Sequence, residues 1–140
     1  MSTPRQPRRA PPIPTQPTIL IVEDEGGMRA LLEDILRLQG YGVLTAATVQ
    51  KAEAARQRFS PGSIALVIAN IHLTAVPEAR EGYALYQHWR TQHPGLPFLL
   101  LSGDPSTADL PDIRAGAVRW LAKPFTPGEL LDAVRAMLGR

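Results

Sequence analysis

Short apolar runs alternate along the chain with segments whose apolar residues recur at helical spacing. From Thr18 onward, five runs of the first kind are each followed by a segment of the second kind. An unbroken apolar run bounded by polar residues is typical of a strand buried on both faces, and such strands occur in parallel sheets that helices cover. The pattern therefore predicts an α/β fold with a doubly wound, five-stranded parallel sheet flanked by five helices.

Local signals give approximate bounds for these elements. The last helix begins at a capping-box pattern, Thr126 to Glu129, with proline at its first helical position. The segment STADLPDIRAG predicts a shorter fourth helix, whose interior is disfavoured because Pro111 lacks a backbone donor. The predicted strands, in chain order, are TILIVED, YGVLTA, SIALVIAN, PFLLLSG and VRWLAKPF.

Composition narrows the class of protein. The hydrophobic fraction of 44% and the charged fraction of 20% are typical of a soluble globular chain. There is no cysteine, which excludes disulfides and thiolate metal sites. No apolar stretch approaches the roughly 18 to 20 residues that cross a bilayer, and the N-terminus lacks the apolar run of a secretory signal. We therefore expect a cytoplasmic protein with no membrane segment.

The first 17 residues differ from the rest of the chain. Six of them are proline, which favours extended backbone, so we expect a disordered Pro/Arg-rich arm at residues 1–17 and one domain at residues 18–140. Arg5, Arg8 and Arg9 lie in this arm, which leaves 12 basic against 13 acidic residues elsewhere. Because the predicted domain is not basic and has no helix-turn-helix segment, we expect no direct contact with nucleic acid.

Polar residues follow several of the predicted strands at the point where each strand ends. Glu23 and Asp24 end the first strand, Asn70 the third, Ser102 the fourth and Lys123 the fifth. In an open parallel sheet, ligands bind beyond these carboxyl ends. Carboxylate oxygens hold a hard cation, while a hydroxyl and an ammonium group bind phosphoryl oxygens. The sequence therefore predicts a magnesium and phosphoryl site at this edge.

This combination resembles the response-regulator receiver family, the CheY-like domains of two-component signalling. The resemblance covers Thr18 to Arg140 and rests on the motifs ILIVEDE, LLLSG and GAVRWLAKPFT. It implies a flavodoxin-like sheet with strand order 2-1-3-4-5. It also implies a cis peptide bond between Lys123 and Pro124. Because the predicted last helix ends close to Arg140, we expect a stand-alone receiver domain.

The resemblance implies a role for each polar residue at the strand ends. The implied switch positions are a phosphate-sensing hydroxyl, a switch aromatic and an invariant lysine, which correspond to Ser102, Trp120 and Lys123. The implied magnesium ligands are two acidic residues, the phosphoacceptor side chain and a backbone carbonyl, which correspond to Glu23, Asp24, Asn70 and His72.

Two departures from the family pattern alter the expected function. Asn70 occupies the position of the phosphoaccepting aspartate, and a neutral amide with a delocalised nitrogen lone pair cannot form a normal acyl phosphate. Thr74 stands where the family has a proline, and the glycine that opens the third helix corresponds to Gly82. The segment IHLTAVPEARE is then about four residues longer than usual, so we expect a remodelled loop over the site.

Further expectations follow for the side chains of the site. Replacing one of three carboxylates by an amide removes a charge but keeps an oxygen, so magnesium binding is expected to be weakened or absent. Without an acyl phosphate, Lys123 is expected to form an ion pair with Asp24. The side chain of His72 is expected to be incidental. His88 and His93 share no metal-ligand spacing and are expected to be surface residues.

We therefore predict a receiver-like module of two-component phosphorelay signalling that is not an enzyme and acts by phosphorylation-independent protein–protein interaction. The expected partners are a histidine kinase, a phosphotransfer protein or another receiver. The resemblance nominates the fourth helix, fifth strand and fifth helix as the contact surface, which would also serve a homodimer.

Two other functions remain open at this point. In the first, the domain accepts phosphate on another residue, or Asn70 replaces the aspartate of a normal magnesium-dependent phosphoacceptor. In the second, the sheet belongs to a nucleotide-binding protein or a small hydrolase. Gly26 and Gly27 make neither a dinucleotide-binding nor a P-loop pattern, and no nucleophile signature is present, so the second is the weaker.

Overall fold

The computed structural model describes residues 17–59, 62–76 and 78–139. The arm predicted at residues 1–17 lies outside the described residues except for Pro17. Over the described ranges, none of the helices combines the length and the apolar character needed to traverse a bilayer.

Within the described residues, five strands form one parallel sheet. Their bounds are β1 (Thr18–Val22), β2 (Gly42–Ala46), β3 (Ile64–Asn70), β4 (Phe98–Ser102) and β5 (Arg119–Ala122). The spatial order is β2-β1-β3-β4-β5, which confirms the predicted topology. The chain therefore starts inside the sheet and winds outward in both directions, so its connecting helices cover both faces.

Three of the five helices that the structure describes begin after a residue whose side chain accepts from free backbone N–H groups. The helix bounds are α1 (Gly26–Leu38), α2 (Val49–Arg58), α3 (Glu81–Gln92), α4 (Pro111–Arg114) and α5 (Pro127–Leu138). Glu25 caps α1 and Thr48 caps α2 through their side-chain oxygens. The predicted capping box of α5 is confirmed, because Thr126 and Glu129 each accept from the backbone N–H of the other.

Two apolar clusters hold the helices against the sheet, one on each face. Alternation along each strand divides the apolar side chains between them. The cluster under α1 and α5 includes Ile19, Ile21, Leu66, Ile68, Leu99 and Leu101. The cluster on the other face, under α2 and α3, includes Leu20, Val22, Val67, Ala69 and Leu100. Because both faces are covered, the strands are apolar at nearly every position.

The fourth helix differs from its predicted form. A single helix over STADLPDIRAG was wrong, because the segment forms a short 3₁₀ helix at Pro105–Asp109 followed by α4. Pro111 is the first residue of α4 rather than an interior residue. Proline has no N–H and a fixed φ, so it suits a first turn and breaks the helix that precedes it.

Candidate functional site

The polar residues predicted at the strand ends lie at one edge of the sheet. Asn70 ends β3 and Ser102 ends β4, while Glu23 and Lys123 directly follow β1 and β5. The strand register pairs Val22 with Ala69, Asn70 with Leu101 and Ser102 with Ala122. The four polar residues therefore lie within three consecutive residue levels at the carboxyl edge of the sheet. The peptide bond between Lys123 and Pro124 is cis, as expected.

The side chain of Asn70 is tied to the loop that follows it. Asn70 is buried, and its Nδ2 donates a hydrogen bond to the backbone carbonyl of His72 at a distance of 2.5 Å. An aspartate carboxylate has no proton to donate at neutral pH and could not make this contact. The Asn70 amide therefore forms a hydrogen bond with the carbonyl that the family resemblance implied as a metal ligand.

Lys123 pairs with Glu23, not with Asp24. Its Nζ lies 3.6 Å from Glu23 Oε2, and the Glu23 side chain is 2% exposed. Burial raises the pKa of Glu23, an effect that the nearby Lys123 ammonium opposes only in part. The expected pair with Asp24 is wrong because alternation places Glu23 on the face of Ile21 and Lys123 on the face of Leu121, both under α1 and α5, whereas Asp24 is exposed.

Ser102 belongs to a small buried hydrogen-bond cluster that sequence reasoning missed. Its Oγ accepts from the backbone N–H of Asp104 at 3.0 Å and from Thr107 Oγ1 at 2.8 Å. Ser102 and Thr107 are 1% and 2% exposed, so water does not compete for these bonds. Thr107 lies in the short 3₁₀ helix that follows β4, where no sequence periodicity marks an inward position.

Trp120 lies on β5 beside Leu100 of β4. The residue is half-buried, and among the described residues its Nε1 has no hydrogen-bond acceptor although the atom is buried. Leu121, the next residue, packs in the cluster under α1 and α5, so alternation directs Trp120 toward the opposite face of the sheet. The aromatic residue therefore lies on the face opposite to that of Leu121.

The loop between β3 and α3 is folded back by two side chains. His72 Nδ1 lies 3.0 Å from the carbonyl of Ala79, and its Nε2 lies 3.8 Å from a carboxylate oxygen of Asp104. The side chain of His72, which was expected to be incidental to metal binding, connects the two ends of this loop with the loop after β4. The remodelled loop predicted from its length thus has a defined set of contacts.

Glu81, the first residue of α3, provides the second contact of this loop. One carboxylate oxygen accepts from the backbone N–H of Leu73 at 3.1 Å, and the other accepts from the hydroxyl of Thr74. Burial raises the pKa of Glu81, but the hydrogen bonds from Thr74 and Leu73 outweigh it and leave that pKa below its ordinary value of 4.5. The ionised carboxylate is therefore the form that the folded loop favours.

We expect Glu81→Gln to lower the urea midpoint of unfolding at neutral pH. A folded-state pKa below 4.5 means that the ionised group stabilises the fold above that pH and that the effect is lost as pH falls through the folded-state value. The difference between wild type and variant should therefore shrink in acid. Urea titrations across pH measure it, with the exposed Glu78→Gln as control. A difference that grows in acid would contradict this role.

Gly82 brings the start of α3 against the end of β3. A Cβ built on Gly82 would lie 1.9 Å from the carbonyl oxygen of Asn70 and 3.0 Å from Cα of Ile71. The backbone N–H of Gly82 donates to the carbonyl of Ile71 at 2.9 Å. The sequence marked Gly82 only as the opening of a helix, whereas the structure makes it the residue that permits the approach to Asn70.

The residues at this edge do not fit a preorganised magnesium site. Receiver domains typically bind Mg²⁺, yet the His72 carbonyl already accepts from Asn70 and Glu23 Oε2 faces an ammonium group. In the described part of the chain, no three His, Asp or Glu side chains are grouped so that they could hold a metal ion. Asp24, which is exposed, is the remaining carboxylate of the expected set.

Comparison with known proteins gives a consistent family. A family model described as the response regulator receiver domain matches residues 19–135. The probable transcriptional regulatory protein TcrX of Mycobacterium tuberculosis is 31% identical over 124 residues, which cover 88% of this chain and 50% of that protein. The solved receiver domain of NtrX from Brucella abortus has 32% identity and a TM-score of 0.73, with 86% of this chain and 98% of that chain covered.

A second curated relative extends the same result. The transcriptional regulatory protein PrrA of Mycobacterium tuberculosis is 34% identical over 127 residues, 90% of this chain and 52% of that protein. The chain therefore spans about half the length of TcrX and PrrA. Both names describe transcriptional regulators, so the expected stand-alone arrangement and the expected absence of nucleic-acid contact stay predictions.

Proposed function

Because the chain belongs to the response-regulator receiver family, we propose that it acts in two-component signalling by protein–protein contact without phosphorylation of an aspartate. The observation that carries this proposal is Asn70 at the end of β3, with its amide donating to the His72 carbonyl at 2.5 Å. The amide is neutral and its nitrogen lone pair is delocalised, so it is not a nucleophile for a phosphoryl group. A phosphorylation switch centred on this residue is thereby lost.

The ion pair between Lys123 and Glu23 supports the proposal that the site keeps one conformation in the absence of a phosphoryl group. A lysine in this position would neutralise phosphoryl oxygens, but here its ammonium lies 3.6 Å from a buried carboxylate. Removing either partner of such a pair leaves a poorly compensated charge, so the pair resists rearrangement. We propose that it fixes the connection after β5 relative to the end of β1.

The Ser102 cluster supports the same conclusion from the other face of the sheet. Ser102 accepts hydrogen bonds from Asp104 and Thr107 at 3.0 and 2.8 Å, so both of its acceptor sites are filled. A switch in which this hydroxyl moves would first break contacts that are buried from water. We propose that Ser102 and Trp120 occupy switch positions that no longer change state.

We propose that the partner is a histidine kinase, a phosphotransfer protein or another receiver, and that it contacts the surface formed by α4, β5 and α5. This surface lies at an open edge of the sheet, because β5 has β4 as its neighbour on one side only. Arg114, Arg119, Asp132 and Arg135 are exposed there and supply charges of both signs. A homodimer would use the same surface.

The proposal predicts that a phosphoryl mimic leaves the domain unchanged. Amide NMR spectra recorded with and without magnesium and beryllofluoride should superimpose for the wild type, including the signals of α4, β5 and α5. Asn70→Asp is the matched control, since it restores the carboxylate that such a mimic binds. Shifts in the wild type along β5 would contradict the proposal and favour phosphate acceptance by another residue.

A further inference from the structure

A cavity of about 490 Å³ lies at the sheet edge opposite Asn70, where β3 and β4 begin. Ile64, Ala65 and Leu96 contribute its apolar floor, and Arg56 and His93 line one wall. The volume falls within the range of about 300 to 1,000 Å³ that is usual for small-molecule sites. The cavity is remote from the carboxyl ends of the strands and belongs to no part of the site described above.

Arg56 has donors that its neighbours in the protein do not fill. One terminal nitrogen lies 2.8 Å from His93 Nε2, and the other lies 3.5 Å from a carboxylate oxygen of Glu53. The Nε atom is buried without a hydrogen-bond partner among the described residues. The second oxygen of Glu53 accepts from Trp89 Nε1 at 2.6 Å, so this carboxylate is shared between two donors.

His93 lies on the same wall as Arg56. A guanidinium group can only donate, so His93 Nε2 must accept from Arg56 and the proton of the neutral ring is on Nδ1. His93 is half-buried and lines this cavity. Arg56 and His93 both line the cavity, so a guanidinium group and an imidazole ring border its apolar floor. Such a wall is complementary to an oxygen that carries negative charge.

We propose that this cavity binds a small monocarboxylate with an apolar body. The carboxylate would accept from Arg56 and His93, and the apolar body would cover Ile64, Ala65 and Leu96. A single negative charge matches the guanidinium group of Arg56, because its counterion Glu53 lies 3.5 Å away and also accepts from Trp89. The apolar floor excludes inorganic phosphate as a full occupant, because it offers that anion no further donors.

The test is an NMR titration of the full chain with 2-naphthylacetate, with the indole N–H signal of Trp89 as reporter. The guanidinium carbon of Arg56 lies 5.5 Å from the Trp89 ring centre, so ligand binding at Arg56 should shift this signal. We expect saturable binding, and binding of the neutral 2-naphthylacetamide at least about tenfold weaker because a charge-assisted pair is lost. Equal affinity for the two compounds, or no saturable shift, would overturn the proposal.

Two variants separate the charged wall from the apolar floor. Arg56→Gln should weaken the carboxylate at least about tenfold and leave the amide nearly unaffected. Ala65→Phe retains Arg56 but fills part of the floor, so it should weaken both compounds. Arg37→Gln, an exposed arginine in an ion pair with Glu33, is the matched control and should bind as the wild type does. Unchanged binding by Ala65→Phe would place the ligand elsewhere and overturn the proposal.

Discussion

Gly82→Ala should destabilise the domain by about 3 kcal/mol or more, at the upper end of the cost of overpacking a folded core. The added Cβ would lie 1.9 Å from the carbonyl oxygen of Asn70, which is backbone and cannot rotate away. Either α3 moves outward or the end of β3, where Asn70 lies, bends. Urea unfolding followed by circular dichroism measures the loss.

Gly95→Ala is the matched control for this substitution. A Cβ at Gly95 would meet no atom within 4 Å, and its φ lies outside the left-handed region. Its free energy of unfolding should stay within about 0.5 kcal/mol of the wild type, as for most surface substitutions. Equal stability of the Gly82 and Gly95 variants would contradict the close approach of α3 to β3.

Asn70→Asp should destabilise the metal-free domain by about 1 to 3 kcal/mol and make its stability depend on magnesium. The carboxylate cannot donate to the buried His72 carbonyl, and it adds a negative charge near Glu23 and Asp24. Magnesium should reverse the loss by binding the restored carboxylate, while the wild type should respond little. Urea titrations with magnesium and with a chelator measure both effects.

Asn70→Ala distinguishes the lost hydrogen bond from the added charge. This variant also leaves the His72 carbonyl without its donor, but it supplies neither charge nor metal ligand. It should therefore lose stability in the metal-free protein, and magnesium should not restore it. If magnesium stabilised the wild type as much as Asn70→Asp, the site would be a competent metal site and our interpretation of the Asn70 contact would be wrong.

The fold was largely predictable because nearly every strand is apolar and bounded by polar residues. Each observed strand lies within its predicted segment, and the capping box places the start of α5. The region around α4 could not be predicted because Pro111 is compatible with two outcomes, a break inside one helix or the first turn of another. The structure takes the second, with Leu110 extended before the proline and α4 beginning at Pro111.

The candidate site was predictable in its position and less so in its contacts. Topology brings Glu23, Asn70 and Lys123 to one edge, and any parallel sheet of this order would do so. The choice of Glu23 over Asp24 was available from alternation, because Glu23 has the parity of Ile21 and Lys123 that of Leu121, and both of these lie on the face under α1 and α5. The Arg56 contact with His93 joins residues 37 apart on different elements, and no local pattern encodes such a pair.

We propose that Asn70 ends aspartyl phosphorylation while the receiver scaffold remains. Incubating the wild type with a small phosphodonor and magnesium, followed by intact mass measurement, tests it most directly. We predict no added mass for the wild type, whereas Asn70→Asp gains the mass of one phosphoryl group. A stable phosphoryl adduct on the wild-type protein would contradict the claim.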